Sequence, residues 1–283
     1  MNDILMQIRS DLPSFSKGQK RIANYILESY DKAAFMTASR LGKMVEVSES
    51  TVVRFAVELG FDGYPSMQKT LQELVRNKLT SVQRIEVTND RLGNQDVVST
   101  VLQGDIDSIR MTSEALSRAE MDACVQAILK AKSIYIVGVR SSAALAAFLN
   151  FYLRNMFENV RLVGSTSTSE MFEQLLRVGP EDVVIGLPRY SSRTVKVMQY
   201  AHDTGATCIA VTDKPDAPAG KVADHVLVAK SDMVSVVDSL VAPMSVVNAL
   251  VVSLAQEQQT QMAKTYEDLE TLWDEYDVYE RVE

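Results

Sequence analysis

The chain has 283 residues, of which 46% are hydrophobic and 23% charged, with a net charge of −8. That length holds one large domain or two ordinary ones with a real core, and the balance is that of a soluble globular protein. Two cysteines, Cys124 and Cys208, lie far apart in apolar surroundings, so neither a disulfide framework nor zinc-ligand spacing is present. The N-terminal segment is charged throughout and lacks an apolar signal core, and the longest apolar run, 234–255, is broken by Asp238, Pro243 and Asn248. An export signal and a membrane partner are therefore not expected, and the location expected is cytoplasmic.

The charge is uneven. Residues 1–80 hold 11 Lys and Arg against 9 Asp and Glu, a net +2, whereas the remainder holds 18 against 28, a net −10. A mildly basic head on an acidic body fits a head that touches polyanions.

The first eighty residues read as helices. Ile4, Leu5 and Ile8 form a short amphipathic turn ended by Pro13, and Ser16 caps a helix over 17–30 with Ile22, Ala23, Tyr25, Ile26 and Leu27 on its apolar face. Thr37 caps a helix over 38–45, and after a turn at Glu46 and Val47, Ser48 caps another over 49–59, which Gly60 stops. A further helix begins at Pro65 or Ser66 and runs to about Leu79. Two short helices with so brief a turn between them have helix-turn-helix spacing. Leu41, Val47, Val52, Val53 and Phe55 are expected to pack the pair, leaving Ser48, Glu49, Ser50, Thr51 and Arg54 toward base edges. A small helical bundle with no DNA role has the same spacing.

The run TASRLGKMVEVSESTVVRFAVELGFDGYPSMQKTL resembles the N-terminal DNA-binding domain of the RpiR (MurR/RpiR) family of bacterial regulators, with most of the match in Val47–Gln68. One departure is Glu46, at a turn position where the family usually has glycine. A left-handed backbone there costs a non-glycine residue about 1 kcal/mol.

Residues 81–105 are polar and β-branched and read as a linker. Helical spacing returns from about Asp96 to Lys132. From Ser133 short apolar runs alternate with helical stretches, the runs being 134–137, 160–163, 183–187, 207–211 and 226–229. Five buried strands with helices between them predict an α/β body, a parallel five-stranded sheet covered on both faces. In such sheets ligands bind beyond the carboxyl ends of the strands, where the strand order reverses.

Two strand–loop–helix passages can share that crevice. In Glu181–Gly205 an apolar run gives way to Pro188, Arg189, Tyr190, Ser191, Ser192, Arg193 and Thr194 before helical spacing resumes. Loop amides, hydroxyls and a helix N-terminus favour an anion. In Ile134–Leu149 the loop is Gly138, Val139, Arg140, Ser141 and Ser142, which lacks the dinucleotide glycines, so no cofactor is expected. Either serine serves equally well as a simple helix cap.

Residues 133–229 resemble the SIS (sugar isomerase) domain, which binds phosphosugars in isomerases and in RpiR-type regulators. The resemblance implies a phosphate-holding role for Ser142, Ser191 and Thr194 and a loop role for Gly138. Arg140 replaces the second glycine of the family's first loop, Arg189 the first serine of its second loop, and Ser192 that loop's glycine. Arg140, Arg189 and Arg193 thus gather around one anion site, and guanidinium groups bind phosphate or carboxylate bidentately. Glu170 follows a Ser/Thr-rich loop and is a candidate for sugar hydroxyls.

His202 and His225 offer little as a catalytic base, so the isomerase reading is the alternative rather than the choice. Residues 235–261 read as one long apolar helix for the core or a subunit interface, and 266–283 as an acidic amphipathic helix. The sequence thus predicts a regulator: an all-α head on palindromic operator DNA, and an SIS-like body sensing a phosphosugar or related anion, paired as a homodimer or higher homo-oligomer. Its domains are expected at 1–80, 81–105 and 106–283.

Overall fold

Ser16, Thr37 and Ser48 each sit just before an apolar-periodic run, and each begins a helix by accepting the amide three residues on. The computed structural model describes residues 4–78, 96–164, 167–187, 191–231 and 237–278. The chain divides into two compact units, with the main boundary after Thr100 and Val237 grouped with the first.

The first unit is all-helical: α1 (Ile4–Asp11), α2 (Lys17–Ala33), α3 (Ala38–Met44), α4 (Glu49–Glu58) and α5 (Tyr64–Lys78). Ser16 and Gln19 form a reciprocal capping box at the start of α2. Ile22, Ile26, Leu41, Val52, Phe55, Met67 and Leu71 are fully buried in one core, with Phe15 edge-on to Phe55 at 5.1 Å between ring centroids. Tyr64 begins α5 and drives its hydroxyl into that core, donating to Met36 O at 2.6 Å; burial pushes its pKa up to about 12. Pro65 is accommodated because its missing N–H falls in the first turn of the helix.

Both α3 and α4 end in a Schellman turn. After α4, Gly60 takes φ 88° and Phe61 N donates to Ala56 O at 3.1 Å. After α3, Glu46 takes φ 55° and Val47 N donates to Gly42 O at 2.9 Å, so a glutamate holds the left-handed position. Val53 is a correction: it lies on the outer side of α4, 37% exposed, because Val52, Phe55 and Ala56 already fill the inward arc.

In the second part of the chain α6 (Val97–Ala115) and α7 (Arg118–Lys130) precede the sheet. Helix α6 begins within the stretch expected to be linker, with Asp96 oxygens accepting from Val98 N and Ser99 N. Residues 81–95 of that stretch lie outside the described residues. The body then alternates: β1 (Ser133–Val137), α8 (Ser142–Leu153), β2 (Val160–Val163), α9 (Thr168–Gln174), β3 (Asp182–Gly186), α10 (Ser192–Asp203), β4 (Thr207–Thr212), a short 3-10 turn (Gly220–Val222) and β5 (His225–Val228). The strands are parallel in the order β2-β1-β3-β4-β5.

Period-two alternation divides β1, β3 and β4 between two apolar layers, whereas β2 departs from the five buried strands expected: it lies at the sheet edge with Arg161 and Leu162 exposed. Ile134, Ile136, Val183, Ile185, Ile209 and Leu227 face α7, α8 and α11 (Val241–Glu257). Tyr135, Val137, Val184, Cys208 and Ala210 face α9 and α10. The helices after β1 and β3 therefore cover opposite faces of neighbouring strands, which is the switch point where a crevice opens.

The C-terminal region departs from the expected single helix over 235–261. Helix α11 starts only at Val241, with 237–240 non-helical and 232–236 outside the described residues. Pro243 fits because it falls in the first turn. Non-helical angles at Gln258 then separate α11 from α12 (Gln259–Glu275), an amphipathic helix with no residue fully buried. No helix among the described residues is long and apolar enough to cross a membrane.

Candidate functional site

In the helical unit α4 is presented by its cap. Ser48 Oγ accepts from Thr51 N at 3.3 Å and lies 2.9 Å from Ser50 Oγ and 2.8 Å from Thr51 Oγ1. Ser48, Glu49 and Ser50 are exposed, Thr51 is half-buried, and Arg54 is exposed with Nε donating back to Ser50 O at 3.3 Å. These five residues thus form one polar N-terminal face on a helix whose other side is fixed in the core. Gly42 brings α3 against the turn before α4: a Cβ there would stand 2.8 Å from Val47 O.

In the body the two loops leave adjacent strands. Val137 pairs with Gly186, and Leu187 N donates to Val137 O at 2.8 Å, so the chain diverges immediately beyond this point. On the β3 side, Ser191 is the N-cap of α10 and accepts from Thr194 N at 3.4 Å. Ser192 and Arg193 are exposed in the first turn. Thr194 is fully buried, and its Oγ1 has no hydrogen-bond partner among the described residues. Pro188, Arg189 and Tyr190 lie outside the described residues, so the expected role of Arg189 is carried no further.

On the β1 side, Gly138 allows close helix–strand packing, since a Cβ would meet Ser142 O and Ala146 Cβ at 2.7 Å. Arg140 follows with φ 56° and Ser141 with right-handed helical angles. A left-handed residue followed by a right-handed one is the backbone nest that converges amides on an anion. Ser141 occupies the N-cap of α8 but makes no side-chain cap hydrogen bond, unlike Ser191, and Ser142 is buried at 4% exposure. Glu170, exposed in the first turn of α9, follows β2 and so lies at the same end of the sheet.

The two histidines are at the other end. His202 is in the last turn of α10, with Nε2 3.7 Å from Asp224 Oδ1, and His225 opens β5 with Nδ1 3.3 Å from Glu120 Oε2. From Ser192 to His202 the helix rises roughly 15 Å, out of reach of a group held by its N-terminus.

The helical unit coincides with one known family and the sheet with another. The sequence model described as a helix-turn-helix domain of the rpiR family matches residues 2–78, and that of the SIS domain matches residues 127–253. The chain is an rpiR-type helix-turn-helix regulator with a SIS domain.

An HTH-type transcriptional regulator of Haemophilus influenzae, uncharacterised by name, is 29% identical to this rpiR-type chain over 233 residues, 80% of this chain and 79% of its own. HexR of Pseudomonas aeruginosa, also an HTH-type transcriptional regulator, is 24% identical over 214 residues, 75% of this chain and 74% of its own. Among solved structures, the sugar isomerase domain of an RpiR transcription factor from Sphaerobacter thermophilus superposes with a TM-score of 0.58 at 26% identity, covering 62% of this chain and 98% of that one. Vibrio vulnificus NanR, complexed with ManNAc-6P, superposes with a TM-score of 0.59 at 22% identity over 95% of this chain and 98% of its own, a likeness of fold.

Sequence reasoning passed over two residues of this rpiR-type head. Arg21, on α2, donates to Glu46 O at 2.8 Å and so braces the turn between α3 and α4; nothing local in the sequence marks a partner 25 positions away. Gly42 did carry a signal, since a glycine inside a helical pattern implies a close approach.

Proposed function

We propose that this regulator reads operator DNA with the N-terminal face of α4 and that a phosphosugar or related anionic metabolite, held at the β1/β3 crevice, controls its operator affinity. The observation carrying the effector half is Thr194 Oγ1. A buried hydroxyl without a partner costs about 1–3 kcal/mol, and a bound phosphate oxygen offsets that cost. Ser142, Ser191 and Ser192 surround the same switch point, Gly138 and Ser141 shape its other wall, and Arg140 and Arg193 supply positive charge. Glu170 is the candidate for a sugar hydroxyl. The ManNAc-6P held by NanR is a ligand of the proposed class.

The body binds its ligand without turning it over. Moving a proton along a sugar needs a base beside the substrate. The histidines lie away from the crevice, and Glu170 would have to act without either of them. The protein acts in the cytoplasm as a homodimer or higher homo-oligomer. Two heads then meet palindromic half-sites one helical turn, roughly 34–36 Å, or a multiple apart. The domains proposed are the head, 1–80, a linker, 81–105, and the sensing body, 106–283.

A thermal-shift screen of sugar phosphates and sugar acids on the full chain, repeated with operator DNA, tests the reading. A ligand that stabilises the protein and changes its DNA affinity is the expected result, with a coupling of about 1–3 kcal/mol. Conversion of such a ligand by the purified protein would refute the regulator-only role.

A further inference from the structure

We infer that Arg140 reads a second acidic group on the effector, so that the crevice selects a phosphorylated sugar acid over a neutral sugar phosphate; this rests on the effector reading above. Three observations meet at this residue. The first is backbone. Arg140 holds φ 56° where a glycine would sit without strain, and Ser141 next to it is right-handed, so the turn is a nest at the start of α8. An arginine kept in a conformation that disfavours it points to a role for its side chain.

The second is charge. The chain beyond residue 80 carries 28 Asp and Glu against 18 Lys and Arg, yet no carboxylate occurs from Ser133 to Phe157 or from Val183 to His202. The segments that form the two walls of the crevice thus carry Arg140 and Arg193 and no carboxylate of their own, and Arg140 is exposed there.

The third is division of labour across the crevice. The β3 side holds the orphaned Thr194 hydroxyl and the capped N-terminus of α10, which together suit a phosphate. With the phosphate held there, the β1 side faces the rest of the ligand. The planar guanidinium fork of Arg140 matches a carboxylate in two parallel hydrogen bonds, whereas a neutral hydroxyl chain leaves it without a charged partner.

Calorimetric titration of the full chain with matched pairs tests this: glucose 6-phosphate against 6-phosphogluconate, and glycerol 3-phosphate against 3-phosphoglycerate. The acid member of at least one pair is expected to bind about tenfold tighter or more, as a charge-assisted hydrogen-bond pair implies. In Arg140→Gly the preference should fall to within about twofold while the neutral member still binds. Arg140→Lys, which keeps the charge without the fork, should fall between. Because glycine fits the left-handed turn, loss of folding does not confuse the result, and the ligand-free melting temperature serves as the control. Equal weakening of both members would mean that Arg140 holds the phosphate, and a preference that survives Arg140→Gly would place selectivity elsewhere. Either outcome, or no preference in the parent protein, overturns this inference while leaving the effector reading intact. Failure of all four compounds and of inorganic phosphate to bind removes both.

Discussion

Arg21 donates from Nη2 to the main-chain oxygen of Glu46 at 2.8 Å and sets Nη1 3.4 Å from its carboxylate. The ion pair itself is worth little, because the two side chains are 46% and 85% exposed. The backbone hydrogen bond matters more, since it braces a residue held at φ 55° between the two helices of the DNA-reading motif.

Glu46→Gly removes the left-handed strain at the cost of extra unfolded-chain entropy, so a gain of up to about 1 kcal/mol is expected. Arg21→Ala should lose roughly 0.5–1.5 kcal/mol with the hydrogen bond. Urea denaturation measures both, and a loss of stability in Glu46→Gly would contradict the strain argument.

Arg54→Ala should leave the fold unchanged, since the side chain is exposed and its hydrogen bond runs to Ser50 O of its own helix. Operator affinity should fall. If Arg54 contacts a phosphate, the slope of log affinity against log salt drops by about 1. If it contacts a base edge, discrimination at one position is lost at about 1–3 kcal/mol with the slope unchanged. Affinity equal to the parent's at every salt concentration would take it out of the interface.

Thr194→Val replaces an unpartnered buried hydroxyl by a methyl of the same shape. Ligand-free stability should therefore stay level or rise, while stabilisation by the effector disappears. Ser191→Ala should behave differently, losing about 1 kcal/mol of ligand-free stability because it removes the α10 cap. Melting curves with and without ligand separate the two. Full ligand stabilisation in Thr194→Val would move the site away from α10.

Alkaline conditions offer a check on the cores. Burial pushes the Cys124 and Cys208 thiols up to about 12, helped by Glu120 and by Asp224 with Asp203 respectively, and burial alone pushes up Tyr64. Unfolded thiols ionise near 9.0 and tyrosine near 10.0, so above those values the unfolded chain holds fewer protons than the folded one. Stability from these groups is fully present below pH 9 and is lost as pH rises toward 12. Denaturation midpoints should be flat through pH 8 and fall beyond 9. At pH 8 a thiol reagent should react only with unfolded chain.

What could be read before folding was mostly local. The Ser16, Thr37 and Ser48 caps, the Gly60 stop and the two-residue alternation of the central strands are written in neighbouring residues, and the elements they mark stand where those signals lie. Side assignment was harder: Val52 and Val53 are adjacent and equally apolar, and only the filled arc around Phe55 decides that Val53 faces out. The apolar run before α11 looked helical because hydropathy does not register where the first turn closes. At Arg140 and Glu46 the sequence shows non-glycine residues where the family resemblance leads one to expect glycine, and only the backbone shows that both take the left-handed conformation. The pairing of Arg21 with Glu46 and the missing partner of Thr194 are tertiary facts that no spacing encodes.

The hydrogen bond from Leu187 N to Val137 O joins strands that a whole β2 excursion separates along the chain. During synthesis the ribosome releases the head first, and among the described residues its core is built from Ile4 to Val75. The crevice between β1 and β3 has no second wall until α10 has emerged, more than a hundred residues later. Each newly made molecule therefore passes through an interval in which its helix-turn-helix unit has emerged and its sheet is incomplete. If the crevice holds the proposed effector, regulation by it begins only once translation has passed α10.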